Sequence, residues 1–244
     1  MIQKGKVGFF LRFVVFLSLA LVLLTSSLLG QEQDSISLFN RQEKRFVHAA
    51  SLTAAFVFTG AFMGDEAMRK WNLENQGSFG DSFSRYSNRL GDKKLVLSLN
   101  AALMATGYLA DRPGLLHTSW NAAKSIVSTA LITEGLKRGL GRARPYTEKG
   151  ARHFNPFPPN RHAFKSLPSG HASLSFAFFT PFAEQYSRWI YLLPASTAFA
   201  RVYKDKHWVS DVVLGATIGF LTGYFFQHKN QHLEVGLNGV TVYF

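Results

Sequence analysis

The 244-residue sequence predicts an all-α protein, a helical bundle of about six core helices. Three observations predict it. Apolar segments rich in Ala, Leu, Phe and Ser, with few internal Pro or Gly, recur between charged connections at lengths that suit helices better than strands. Apolar residues make up 47% of the chain, with 23 Phe, enough to fill the core of one ordinary domain. No internal repeat or low-complexity tract competes with that reading.

Residues 1–30 read as a signal peptide or an N-terminal membrane segment. Lys4, Lys6 and Arg12 precede the apolar run 13–24, and small polar residues Thr25, Ser26 and Ser27 follow it. Residues 31–45 are polar and read as an exposed arm. The helical domain occupies 46–228, with segments at 46–64, 95–110, 119–136, 169–183, 189–200 and 212–227. Asp111-Arg112-Pro113-Gly114 breaks the second from the third. The long connection 139–167 holds four Pro, and eight Lys/Arg lie between residues 137 and 165, a loop of the kind that carries function. The tail 229–244 alternates apolar and polar residues around Asn238-Gly239, the pattern of a short β-hairpin.

Charged residues are 17% of the chain, below the quarter usual for soluble domains, which points to a membrane-associated or tightly packed helical protein. A mean hydropathy of +0.02 argues against a chain made wholly of lipid-buried helices. Most uncharged runs fall at or below the roughly 17 residues a bilayer span needs. The expectation is an exported bundle, with a version that spans the membrane as its rival. The net charge of +12 favours anionic partners: nucleic acid, acidic lipid or phosphorylated substrates. Nucleic acid fits poorly, because the basic residues sit beside apolar helices. The absence of Cys excludes disulfides, thiolate metal sites and a lipid anchor on cysteine. Oligomeric state is not legible.

Three stretches carry chemistry. In the first, Lys137-Arg138-Gly139-Leu140-Gly141-Arg142-Ala143-Arg144-Pro145, basic residues close an apolar helix and Pro145 extends Arg144. Lys137 and Arg144 can converge there on phosphate oxygens, Arg as a planar fork and Lys as a mobile charge. Alone, the stretch also reads as a solvated basic helix end. The second, Leu167-Pro168-Ser169-Gly170-His171-Ala172-Ser173, reads as a helix start whose free N–H groups suit an anion. Ser169 can add a hydroxyl, Gly170 permits close approach, and His171 sits in the first turn. A plain N-cap with an incidental histidine is the alternative.

The third stretch runs from Ala200-Arg201 to His207 and Asp211. Four apart, His207 and Asp211 would share a helix face, the carboxylate fixing the imidazole tautomer so that Nε2 is free to attack. A surface ion pair is the bland reading. Each stretch lies at a segment end, and an up-and-down bundle brings all three to one end.

Lys137-x6-Arg144-Pro145, Pro168-Ser169-Gly170-His171 and Arg201-x5-His207-x3-Asp211 resemble the three-part signature of the type 2 phosphatidic acid phosphatase and vanadium haloperoxidase superfamily. One departure is Ala200, where the motif usually has Ser; another is the charged Lys204-Asp205-Lys206 insert. The resemblance implies an all-α phosphatase with no obligatory metal or cofactor. In it His207 attacks phosphorus, Asp211 orients His207, and His171 protonates the leaving group. Lys137, Arg144, Arg201, Ser169 and the Gly170 N–H would hold the phosphoryl oxygens. The expected partner is a phosphorylated lipid or small phosphate ester, met at a membrane or in the periplasm with the site facing outside the cytoplasm. A soluble broad-specificity acid phosphatase, a haloperoxidase and a non-enzymatic lipid binder are the competing readings.

Overall fold

Helix α5 (Gly170–Gln185) is the axis around which the other helices gather. The computed structural model describes residues 41–159, 162–229, 233–236 and 239–242. The segment read as a signal lies outside them. Before α5 come α1 (Arg41–Glu74), α2 (Ser78–Ser87), α3 (Lys93–Leu109) and α4 (Pro113–Leu140). After it come α6 (Leu192–Tyr203) and α7 (Val209–Lys229). Short 3-10 turns occupy Asn88–Gly91, Pro145–Thr147, His162–Phe164 and Arg188–Tyr191. The chain divides into two compact units, Met1–Met63 and Gly64–Phe244, and the second holds the bundle. Within it α5 packs on α3, α4, α6 and α7, α4 packs on α3 and α7, and α2 packs on α6.

The all-α expectation holds, with corrections at the ends. Residues 41–45 are already helical. Helix α4 starts at Pro113 and not at 119, because the proline of the expected break occupies the first helical turn, where it loses no hydrogen bond. It stops at Gly141 in the left-handed region (φ 58°), where any Cβ would strike the carbonyl of Asn155. Helix α3 is capped by Asp92, whose Oδ1 accepts from the backbone N–H groups of Lys94 (2.9 Å) and Leu95 (3.3 Å). Helix α2 was not foreseen: Ser78–Ser87 is polar, with an internal glycine, and gains its helix from packing on α6. Beyond α7 two strands, β1 (Leu233–Gly236) and β2 (Gly239–Val242), pair antiparallel with Gly236 opposite Gly239. Gly239 of the expected Asn238-Gly239 turn opens β2, and residues 237–238 lie outside the described residues.

The apolar core contains Val96, Ala122, Ile126, Leu174, Ala177, Phe178, Phe179 and Phe182. Around it α4 is turned inside out. Its buried positions include Ser119, Asn121, Ser125 and Thr129, whereas Val127, Leu131 and Ile132 are exposed. The inward hydroxyls bond across helices: Thr222 of α7 lies 3.1 Å from Ser125 Oγ and 2.5 Å from Thr129 Oγ1. Nearby, Asn121 donates to Gln227 (3.1 Å) and Gln227 to Gln185 (3.0 Å). Polar groups facing inward and aliphatic ones outward are what lipid, not water, selects. Two helices, α1 over Arg45–Glu74 and α7 over Val209–Lys229, are long and apolar enough to cross a membrane.

A stripe of glycines lets α7 lie almost against the α5 backbone. A Cβ at Gly215 would sit 2.6 Å from the Ser169 carbonyl oxygen, and one at Gly223 2.7 Å from Thr180 Cβ. At Gly219, between them, it would overlap the Ser173 carbonyl. This contact fixes how the N-terminal turns of α5 and α7 meet.

Candidate active site

Those two N-terminal turns carry the histidines. Ser169 is the N-cap of α5 and His171 sits in its first turn. Asp211 lies in the first turn of α7 and His207 in the bend just before it. The shared helix face expected from their spacing is therefore replaced by a cap. Asp211 Oδ2 reaches back to accept from the Trp208 N–H (2.9 Å), as an acid three residues into a helix does in a capping box. His207 Nδ1 stands 3.5 Å from the same oxygen, close enough for charge attraction but long for a hydrogen bond.

Backbone and side-chain bonds tie the three stretches together. The Ser169 N–H donates to the Asp211 carbonyl (2.8 Å) and the Ser166 N–H to the Arg142 carbonyl (3.1 Å). Lys137 Nζ donates to the Lys165 carbonyl (2.8 Å), and a Cβ on Gly170 would lie 3.6 Å from Lys137 Cε. Lys137 thus lies against the N-terminus of α5. Trp208 Nε1 donates to the Ala143 carbonyl (2.9 Å).

Beneath the histidines is a buried charge network that sequence reading missed. Arg142 is fully buried and forks between two carboxylates: Nη2 to Asp65 Oδ2 and Nη1 to Asp211 Oδ1, both 2.7 Å. Its Nε donates to the Ala151 carbonyl (2.8 Å). Ser210 donates to Asp65 from its hydroxyl (2.5 Å) and its N–H (3.0 Å), and the Ser166 hydroxyl donates to Asp211 Oδ2 (2.5 Å). Asp211 therefore accepts from three donors, Arg142 on Oδ1 and Ser166 and Trp208 on Oδ2, and its carboxylate is held in place from below. The signal for Asp65 was faint: an acid just beyond an apolar run. The alternating Arg142-Ala143-Arg144 offered a second arginine, but nothing said that it turns inward.

Above the network the site is cationic. Lys137 and Arg201 are buried and Arg144 is half-buried. Burial lowers the Arg144 pKa, and burial followed by Arg144 brings Arg201 down to about 10. Arg201 Nη1 donates to Asn88 Oδ1 (2.5 Å), a contact outside the three stretches. Burial holds the His207 pKa well below the usual imidazole value, with Lys137 and Arg144 pushing the same way and Asp211 opposing. His171 is brought to about 4, by burial first and then by Arg201, with Asp92 opposing and Arg144 and Lys137 adding to the fall. Four buried polar atoms lack a hydrogen-bond partner among the described residues and belong to these same side chains: Arg144 Nε, Arg201 Nε, Ser169 Oγ and His207 Nδ1. Orphaned donors beside clustered cations form a cradle for an oxyanion. Ala200 is fully buried.

A family model described as the PAP2 superfamily matches residues 118–233. The chain is 30% identical over 183 residues to a lipid A 1-phosphatase of Porphyromonas gingivalis, covering 72% of this chain and 36% of that protein. It is 36% identical over 112 residues to a lipid A 1-phosphatase of Rhizobium etli, covering 43% and 48%. It thus spans between about a third and a half of the length of these relatives. Among solved structures, Aquifex aeolicus LpxE superposes with a TM-score of 0.53 at 18% identity, over 66% of this chain and 93% of that one. A PAP2-type phosphatidylglycerolphosphate phosphatase from Bacillus subtilis gives 0.52 at 17%, over 72% and 93%.

Proposed function

We propose that this chain, which matches the PAP2 superfamily model over residues 118–233, is a phosphatase that hydrolyses a lipid-linked phosphomonoester or pyrophosphate through a phosphohistidine. The observation that carries this reading is a neutral, buried His207 among three cations, two of which, Arg144 and Arg201, keep a buried Nε with no hydrogen-bond partner among the described residues. A phosphoryl group seated between Lys137, Arg144 and Arg201 has its charge neutralised before any bond changes, and the Ser169 hydroxyl and Gly170 N–H complete the cradle. His207 Nε2 attacks phosphorus in line, and the P–O bond to the leaving group breaks. His171, protonated while the phosphate dianion is bound beside it, gives that oxygen its proton. The same imidazole then takes a proton from water as water attacks the phosphohistidine, releasing inorganic phosphate and restoring His207. Asp211 steadies the positive charge that His207 gains, and Arg142 and Asp65 keep Asp211 in place.

Three things support a lipid substrate: the names of the relatives, the inside-out α4, and the large exposed side chains Leu109, Leu131 and Trp189. The same features support attachment to a membrane. The basic and apolar N-terminus supports a site facing outside the cytoplasm.

Purified protein is to be assayed for phosphate release in excess EDTA from phospholipids, isoprenoid pyrophosphates, phosphorylated glycolipids and a soluble aryl phosphate, with His207→Ala alongside. Activity that persists in EDTA, prefers lipids and falls to background in the variant is expected. Equal activity in the variant would remove the histidine mechanism.

A further inference from the structure

The charged Lys204-Asp205-Lys206 insert has no part in the chemistry above, yet it is held firmly. Asp205 adopts a left-handed backbone (φ 51°), an uncommon state for a residue with a side chain. Arg69 grips both its oxygens, Nε to Oδ1 at 2.8 Å and Nη2 to Oδ2 at 2.9 Å. The Lys206 N–H donates to the Arg201 carbonyl (3.1 Å), which joins the turn directly to the phosphate cradle. Lys206 Nζ lies 5.0 Å over the ring of Tyr146, two residues past Arg144. The insert therefore touches both cradle loops.

The turn also walls an open, solvent-facing cavity of about 480 Å³, shared with Asp81 and Arg85 of α2 and with Tyr203. Asp205 is consumed by Arg69, leaving Asp81 as the one uncommitted carboxylate against Arg85, Lys204 and Lys206 on that wall. Among the described residues none of these three cations has a carboxylate within ion-pair distance. Burial lowers the Lys204 pKa, and Arg201, Arg85 and Lys206 lower it further against the opposing pull of Asp81, as expected of like charges crowded together. A space of this size lined by surplus positive charge suits an anionic group.

Resting on the phosphatase reading, we propose that this cavity is a second anion subsite. It holds a further phosphate or carboxylate of the same amphiphile whose reacting phosphate sits between Lys137, Arg144 and Arg201. A substrate with two anionic groups would then bind by both, and the turn bonded to Arg201 would set the distance between them.

The test compares wild type with Arg85→Met/Lys204→Met on a lipid carrying two phosphate monoesters and its singly phosphorylated counterpart, in neutral detergent. KM for the doubly phosphorylated lipid is expected to rise about tenfold, about 1.4 kcal/mol. Its kcat, and both constants for the singly phosphorylated lipid, should stay within about twofold, and Lys204→Arg should behave as wild type. Equal losses on both lipids, or none, overturn the proposal. A third arm presents the singly phosphorylated lipid in vesicles with and without anionic phospholipid. A loss confined to the anionic vesicles would assign the cavity to bilayer headgroups and also overturn it. Calorimetric binding of both lipids to His207→Ala protein, with and without the double substitution, reads the subsite even if no lipid is hydrolysed. A failure of the phosphatase reading is thereby told apart from a failure of this one.

Discussion

His207 and His171 are both kept from protonation by burial among cations, so each should make the fold acid-sensitive. Above about pH 6.5 an imidazole is neutral in the folded and unfolded chain alike. Below it the unfolded chain binds a proton that the folded site refuses, so stability rises with pH and falls on acidification, by about 1.4 kcal/mol per pH unit per histidine. For His171 the loss continues to about pH 4. Unfolding followed in phosphate-free buffer should show about 1.5 kcal/mol less stability at pH 5 than at pH 6.5 from His171, with His207 adding in the same direction. His171→Asn should flatten the slope, and added phosphate should do the same by restoring the anion. A pH-independent midpoint would contradict the burial of both rings. Residues that act through local spacing were legible at this scale: Lys137 with Arg144, Ser169 with His171, Arg201 with His207 and Asp211. Asp65, Ser166 and Asn88 were not, because each meets the site only through tertiary contact far along the chain.

The composition and length of the apolar segments revealed where six of the seven helices of the described residues lie, but could not say which side of α4 faces in. Its apolar residues fall on both sides, Ala122 and Ile126 inward and Val127, Leu131 and Ile132 outward, and only the packing shows that the side with the small polar residues is the buried one. Helix α2 escaped notice because its sequence has little intrinsic helix preference. Between elements the largest local commitment is Arg142, which joins α1 to α7 through two carboxylates. Arg142→Met leaves Asp65 and Asp211 buried and uncompensated, at a cost of about 3–5 kcal/mol. Thermal unfolding should register it as a loss of that order. Arg142→Lys should recover little, since one ammonium cannot span both partners. Pairing Arg142→Met with Asp65→Asn should restore part of the stability and leave activity low, because Asp211 still lacks its fork.

For the molecule as a whole, the spacing of the proposed acid and nucleophile is set by how closely α5 and α7 approach, and glycines set that approach. Gly219→Val, about three turns past His207 and packed against the Ser173 carbonyl of α5, forces the helices apart and should cost about 1–3 kcal/mol. Its kcat should fall with KM little changed, since the cations on the cradle loops still meet the substrate. An unaltered kcat would mean that the loops, not the helix pair, hold the histidines. The clasp on Asp65 has a different consequence, for where the chain can be cut. The family-model match begins at residue 118, but the carboxylate that anchors Arg142 lies well upstream, followed on α1 by Glu66, which accepts from the Ala151 N–H (2.5 Å), and by Arg69. A fragment trimmed to residues 118–233 would keep every motif residue and lose the post to which they are tied, so the smallest self-sufficient piece must start before Asp65.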